Sequence, residues 1–201
     1  SLRWFDNIPI VSWVLLRGRC RRCRVSVSWQ YPVVELVTAI LFVVVAWQTP
    51  VGPLLASRLL LVCVLIVLFG IDLEHQVAPN SITLPGIVVG LLFSLVNPPG
   101  WLACLIGAAV GGGILYAIAL GYYMWRREEG MGMGDVKMLA MIGAFLGWKL
   151  MLLTLVLSSF SGTLVGIGVL VARRESLKYA LPFGTFLAVG AVVAATVGDT
   201  L

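Results

Sequence analysis

Apolar runs near residues 32–49, 54–71, 82–97, 101–125, 149–172 and 180–198 leave this chain little choice of solvent. A helix needs about 20 apolar residues to cross a hydrocarbon core of about 30 Å, and these runs approach that length. Hydrophobic residues make up 60% of the chain and charged residues 11%, against about 45–50% and about 25% in an ordinary soluble domain. No soluble fold of 201 residues hides that much apolar surface, so lipid covers part of it. The expected fold is all-α, a polytopic transmembrane helical bundle. Residues 1–31 form a small Arg- and Cys-rich cytoplasmic segment, and 32–201 form one membrane domain.

Proline and glycine separate the runs: Thr49-Pro50-Val51-Gly52-Pro53, Ala78-Pro79-Asn80-Ser81 and Asn97-Pro98-Pro99-Gly100. Proline lacks a backbone donor and breaks a helix, so these are boundaries. Residues 136–147 are a further apolar stretch. At 1.5 Å per residue it makes a helix of about 18 Å, too short to span unaided. It must be re-entrant, thin the membrane, or sit inside the bundle beside a water-filled cavity. With it, about seven segments are expected.

Orientation follows from the basic residues. If the Arg-rich opening is cytoplasmic and all seven segments cross, residues 72–81, 126–135 and 173–179 also face the cytoplasm. Arg3, Arg17, Arg19, Arg21, Arg22, Arg24, Arg126, Arg127, Lys137, Arg173, Arg174 and Lys178 then lie inside, and only Arg58 and Lys149 lie outside. That is the bias the positive-inside rule requires. The net charge of +5 therefore suits anionic lipid, not nucleic acid. Asp199 and the C-terminus are expected outside. Ser1 rather than Met begins the sequence, with no charged-then-apolar signal segment, and the chain is read as lacking its natural N-terminus.

Small residues recur at packing intervals: Gly86 and Gly90, Gly107 and Gly111, Gly143 and Gly147, Gly162 and Gly166. Inside lipid, close backbone approach holds helices together, and glycine permits it. The alternative is that Gly111-Gly112-Gly113 leaves space for a substrate.

Ionisable groups are expensive in a membrane, so their positions carry information. Of four aspartates, Asp6 is in the polar opening and Asp199 near the far end. Asp72 closes the run 54–71, and Asp135 opens the short helix after Gly130-Met131-Gly132-Met133-Gly134. The charge bias puts both on the cytoplasmic side at similar depth. Two carboxylates close together in a poorly solvated place do not both ionise comfortably, so such a pair offers a general acid and a general base. It can activate water and protonate a leaving amine, as amide hydrolysis requires. The glycines before Asp135 let extended backbone approach without side-chain obstruction. The plainer reading is that Asp135 merely caps a helix and that Asp72, with Glu74 and His75, forms a solvated loop edge.

Cys20 and Cys23 form a C-x-x-C pair among arginines. Basic neighbours favour thiolates, suiting metal binding or redox chemistry. Structural zinc takes four ligands, and only two are here. Cys63 and Cys104 lie in apolar runs and read as small core residues.

Taken in order, several segments give a specific resemblance. They are Asp6-Asn7-Ile8-Pro9-Ile10-Val11-Ser12-Trp13, the Arg-Cys-x-x-Cys block ending at Cys23, Tyr31-Pro32-Val33-Val34-Glu35, Ile71-Asp72-Leu73-Glu74-His75, Gly132-Met133-Gly134-Asp135-Val136-Lys137 and Leu181-Pro182-Phe183-Gly184. The chain resembles the type IV prepilin peptidases, bacterial members of the intramembrane aspartyl proteases with a glycine-x-glycine-aspartate motif. The resemblance implies that Asp72 and Asp135 are the catalytic pair. It implies as substrate the leader of a type IV prepilin or a type II secretion pseudopilin, cut after a glycine at the cytoplasmic face of the bacterial inner membrane. It also implies, in many members, N-methylation of the new terminus with S-adenosylmethionine; proteolysis itself needs no cofactor. Members usually carry a further N-terminal helix and an earlier C-x-x-C, which with Cys20 and Cys23 would complete a four-cysteine zinc site.

Among lesser candidates, Glu35 either holds the cytoplasmic segment or the substrate, or serves as a helix N-terminal carboxylate. Lys137 lies near the pair or reaches to lipid phosphate. Gly132 and Gly134 support the approach to Asp135, and by resemblance Pro182 and Gly184 form a helix break near the site. Two other functions compete: a thiol oxidoreductase using Cys20 and Cys23, and a small transporter or channel with Asp72 and Asp135 as ion sites. The cytoplasmic side is reducing, which counts against the first. Transport sites usually lie near the midplane, which counts against the second. One histidine, His75, offers little for histidine-dependent nucleophilic catalysis.

Overall fold

The computed structural model describes residues 8, 10–127, 132–173 and 182–198. Seven helices occur among them: α1 Val11–Leu15, α2 Gln30–Gln48, α3 Pro53–His75, α4 Asn80–Ser94, α5 Trp101–Arg126, α6 Met133–Arg173 and α7 Phe183–Val197. Gly147, at φ 77 and ψ 173, breaks α6 into two helices. The bundle is all-α, as expected. Ser1, Arg3, Asp6, Asn7, Pro9, Gly130, Met131, Arg174, Lys178, Leu181 and Asp199, used in the sequence reading, lie outside the described residues.

Helices α2, α3, α5 and α6 are long and apolar enough to cross a membrane, whereas α4 and α7 are shorter apolar helices. Proline sets several starts. Pro53 opens α3 from within its first turn, and Pro79 and Pro182 are the residues before α4 and α7. In each of these positions the missing N–H is one that a helix would leave unpaired anyway.

The short stretch 136–147 lies inside the bundle. It is the first half of α6 and the centre of the core: Met138, Leu139, Met141, Ile142 and Ala144 are fully buried. The neighbouring helices shield it from lipid, so it need not match the full membrane thickness alone. Helix α5 lies against it so closely that a Cβ at Gly143 would collide with the Gly107 carbonyl, and one at Gly111 would come 3.0 Å from the Leu139 carbonyl oxygen. Helix α4 covers another side, with Gly86 against Met141 and Gly90 against Phe145. Packing is thus the role of these glycines, Gly111 included. Gly113 has nothing within 4 Å of its would-be Cβ, so close packing does not require a glycine there.

Past Gly147 the chain turns back, and α7 runs antiparallel to this second half. Gly190 meets Ser158, Gly162 meets Phe186, and the Ser158 hydroxyl lies 2.9 Å from the Phe186 carbonyl. Helix α7 also packs on α3, closing the bundle. Helix α2 is peripheral, with only Val45 buried.

The N-terminal segment adds an element absent from the sequence reading, the short α1. The Trp13 indole donates to the Val27 carbonyl over 3.1 Å, and Gly18 at φ 67 faces the indole ring. Its backbone continues into a tight turn, with Cys20 N–H to Val25 carbonyl at 2.9 Å and Val27 N–H to Gly18 carbonyl at 2.7 Å.

Candidate active site

Asp72 lies in the last turn of α3, before Gln76 ends the helix in the left-handed region. It is 4% exposed. A carboxylate so enclosed needs donors, and α7 supplies one: the Thr185 backbone N–H donates to Asp72 Oδ2 over 2.7 Å. Thr185 is the third residue of α7, where backbone N–H groups have no intrahelical acceptor. The positive end of the helix and its free donors therefore face the carboxylate. Gly184 makes the approach possible, since a Cβ there would stand 2.8 Å from Asp72 Cγ and Oδ2. Pro182 precedes the helix, and its carbonyl accepts the Thr185 hydroxyl at 2.7 Å.

Asp135 stands in the first turn of α6, partly buried. Its N–H donates to the Gly132 carbonyl over 3.2 Å, starting the helix. Gly134 sits tight on the α3–α4 connection, with a would-be Cβ 2.9 Å from both Ala78 N and Cβ. This contact carries the start of α6 to the end of α3.

Lys137 donates to Asn80 Oδ1 over 2.7 Å, tying α6 to the first residue of α4 beside the pair. Glu35 accepts the Ile10 backbone N–H at 2.7 Å, joining α2 to the N-terminal segment. The same segment meets α3 through Gln30 Nε2 and Glu74 Oε1, 3.3 Å apart, two residues from Asp72. Cys20 and Cys23 lie in the N-terminal turn, Cys20 partly buried and Cys23 exposed. Among the described residues no group of three or more His, Cys, Asp and Glu side chains could hold a metal. Two thiols alone do not fit a structural zinc, which takes four ligands.

Three partners were missed in the sequence: Thr185, Ala78 and Asn80. Pro-Phe-Gly-Thr before an apolar run does signal a helix start with free N–H groups, but nothing local tells which carboxylate they meet.

A bundle of helices long and apolar enough to cross a membrane, with Asp72 and Asp135 at the ends of separate helices, defines a polytopic membrane protein. The sequence profile of the Type IV leader peptidase family matches residues 59–167, and that of the Bacterial Peptidase A24 N-terminal domain matches residues 1–49. The chain belongs to the type IV leader peptidase family. It is 41% identical over 199 residues to the prepilin leader peptidase/N-methyltransferase of Aeromonas salmonicida (strain A449), covering 98% of this chain and 68% of that protein. It is 38% identical over 203 residues to the Pseudomonas putida protein of the same name, covering 100% and 70%. The Pseudomonas aeruginosa protein is 36% identical over 205 residues, again with 100% and 70% covered. No solved structure matches the chain.

Proposed function

We propose that this chain hydrolyses the leader peptides of type IV prepilins or type II secretion pseudopilins, with Asp72 and Asp135 as the catalytic pair. The observation that supports the reading is that Thr185 N–H holds Asp72 at the end of α3, while Gly134, the neighbour of Asp135, packs on Ala78 just beyond that end. In this reading one carboxylate takes a proton from water as its oxygen attacks the scissile carbonyl. The other carboxyl gives its proton to the leaving nitrogen as the C–N bond breaks. Water, peptide and two carboxyl groups balance the reaction with no metal.

The basic residues favour an orientation in which the pair faces the cytoplasm, at the inner membrane, where the leader of a substrate inserted by its own hydrophobic helix would lie. On this orientation residues 1–31 are a cytoplasmic segment and 32–201 the protease domain. Glu35, Gly132, Gly134, Lys137, Pro182 and Gly184 then act as supports of the site. N-methylation of the new terminus is the second activity in the relatives' name, with S-adenosylmethionine as the donor the resemblance implies.

The test is cleavage of a prepilin-derived substrate in liposomes by wild type, Asp72→Asn and Asp135→Asn. Loss of one partner of an acid–base pair costs about 10²–10⁴-fold. Folded Asn variants that cut at the wild-type rate would remove the pair from the mechanism.

A further inference from the structure

The end of the bundle away from the aspartates contains a cavity of about 880 Å³ between α3, the α4–α5 connection, the Gly147 break and the end of α7. Its nearest lining residue on α3, Leu61, is 11 residues from Asp72, a distance of about 16 Å along the helix. It is therefore separate from the catalytic site.

Its lining is divided. Leu54 to Leu61 form one wall, a depth of about 10 Å along α3. Phe93, Phe145, Leu146 and Leu153 extend the apolar surface. The polar groups lining it are Ser57, Ser94, Asn97, Arg58 and Lys149, and among the described residues no carboxylate lines it. Arg58 is only 8% exposed and donates to Thr49 Oγ1 over 3.0 Å. Asn97 is also 8% exposed, and its Nδ2 has no hydrogen-bond partner among the described residues. A buried amide donor left unsatisfied is costly, and native structures rarely tolerate it. Lys149 is exposed, with its ammonium 5.8 Å from the Trp148 ring centroid, a pairing suited to a membrane interface.

Donors and cations at the polar part with an apolar surface beside them match an amphiphile with an anionic head. We propose that this cavity binds one anionic phospholipid, its phosphodiester oxygens accepting hydrogen bonds from Asn97 Nδ2 and Lys149 beside Arg58, and its acyl chain lying on the leucine and phenylalanine wall. Phosphate oxygens are strong acceptors for charged donors, and the apolar wall distinguishes a lipid from a free anion.

The test is lipid retention by delipidated, detergent-solubilised full chain, read by native mass spectrometry during titration with phosphatidylglycerol, phosphatidylcholine or inorganic phosphate. Wild type should keep one phosphatidylglycerol about tenfold more tightly than phosphatidylcholine. Lys149→Gln should remove most of that preference, and Asn97→Ala should weaken retention by about tenfold or more, the loss expected for one hydrogen bond to a charged group. Arg126→Gln, an equal loss of charge at the other end of the bundle, should leave it unchanged. If Asn97→Ala does not fold, the exposed Lys149 carries the test. Equal retention of the two lipids, equal effects of Lys149→Gln and Arg126→Gln, or inorganic phosphate competing as strongly as phosphatidylglycerol would each overturn the proposal.

Discussion

Adding one methyl group at Gly184 addresses the position of Asp72 without touching its chemistry. The new Cβ would lie 2.8 Å from Asp72 Cγ and Oδ2 and 3.1 Å from Oδ1, where ordinary contacts begin at 3.4 Å. The carboxyl must retreat by at least about 0.6 Å or rotate away, straining or losing the hydrogen bond from Thr185 N–H. Misplacing a catalytic group by about 1 Å can cost about 10²-fold, equivalent to about 2.7 kcal/mol of barrier. Gly184→Ala should therefore lower kcat/KM for prepilin leader cleavage by about 10²-fold while the protein still folds. Gly162→Ala is the control, because its Cβ would meet the Phe186 ring at an ordinary 3.5 Å. Steady-state cleavage in liposomes, with thermal unfolding to verify folding, makes the comparison. A folded Gly184→Ala protein with wild-type kcat/KM would refute the claim that this glycine fixes the carboxyl.

Further outcomes follow from the same contacts. Gly143→Ala should lower the thermal midpoint in detergent, because its Cβ would strike the Gly107 carbonyl. Gly113→Ala, with open space around it, should leave the midpoint unchanged or raise it slightly, as replacing a helical glycine can add about 0.5–1 kcal/mol. Lys137→Ala and Asn80→Ala should reduce cleavage to similar extents, and the double variant should lose little more than either, because each removes the same 2.7 Å bond; additive losses would show independent roles. Treatment with a zinc chelator should leave the proteolytic rate unchanged, because the proposed reaction uses two carboxyl groups and no metal.

The sequence determined the solvent and the fold class, because each apolar run reports its own length and a membrane helix satisfies its backbone hydrogen bonds internally. Proline and glycine marked most boundaries for the same local reason. It also singled out Asp72 and Asp135, since few carboxylates occur in so apolar a chain and their cost in lipid makes each one informative. It did not decide what the short stretch after Asp135 does. Its length allowed three placements, and its burial inside the bundle came only from the close approach of α4 and α5. Nor did it foretell that Asp72 meets the N–H of Thr185, 113 residues away. Free donors are a local property of any helix start, but the acceptor they find depends on how α7 packs along α3. The cavity beside Asn97 has the same origin: its walls come from helices far apart in sequence, and no one segment encodes the space between them.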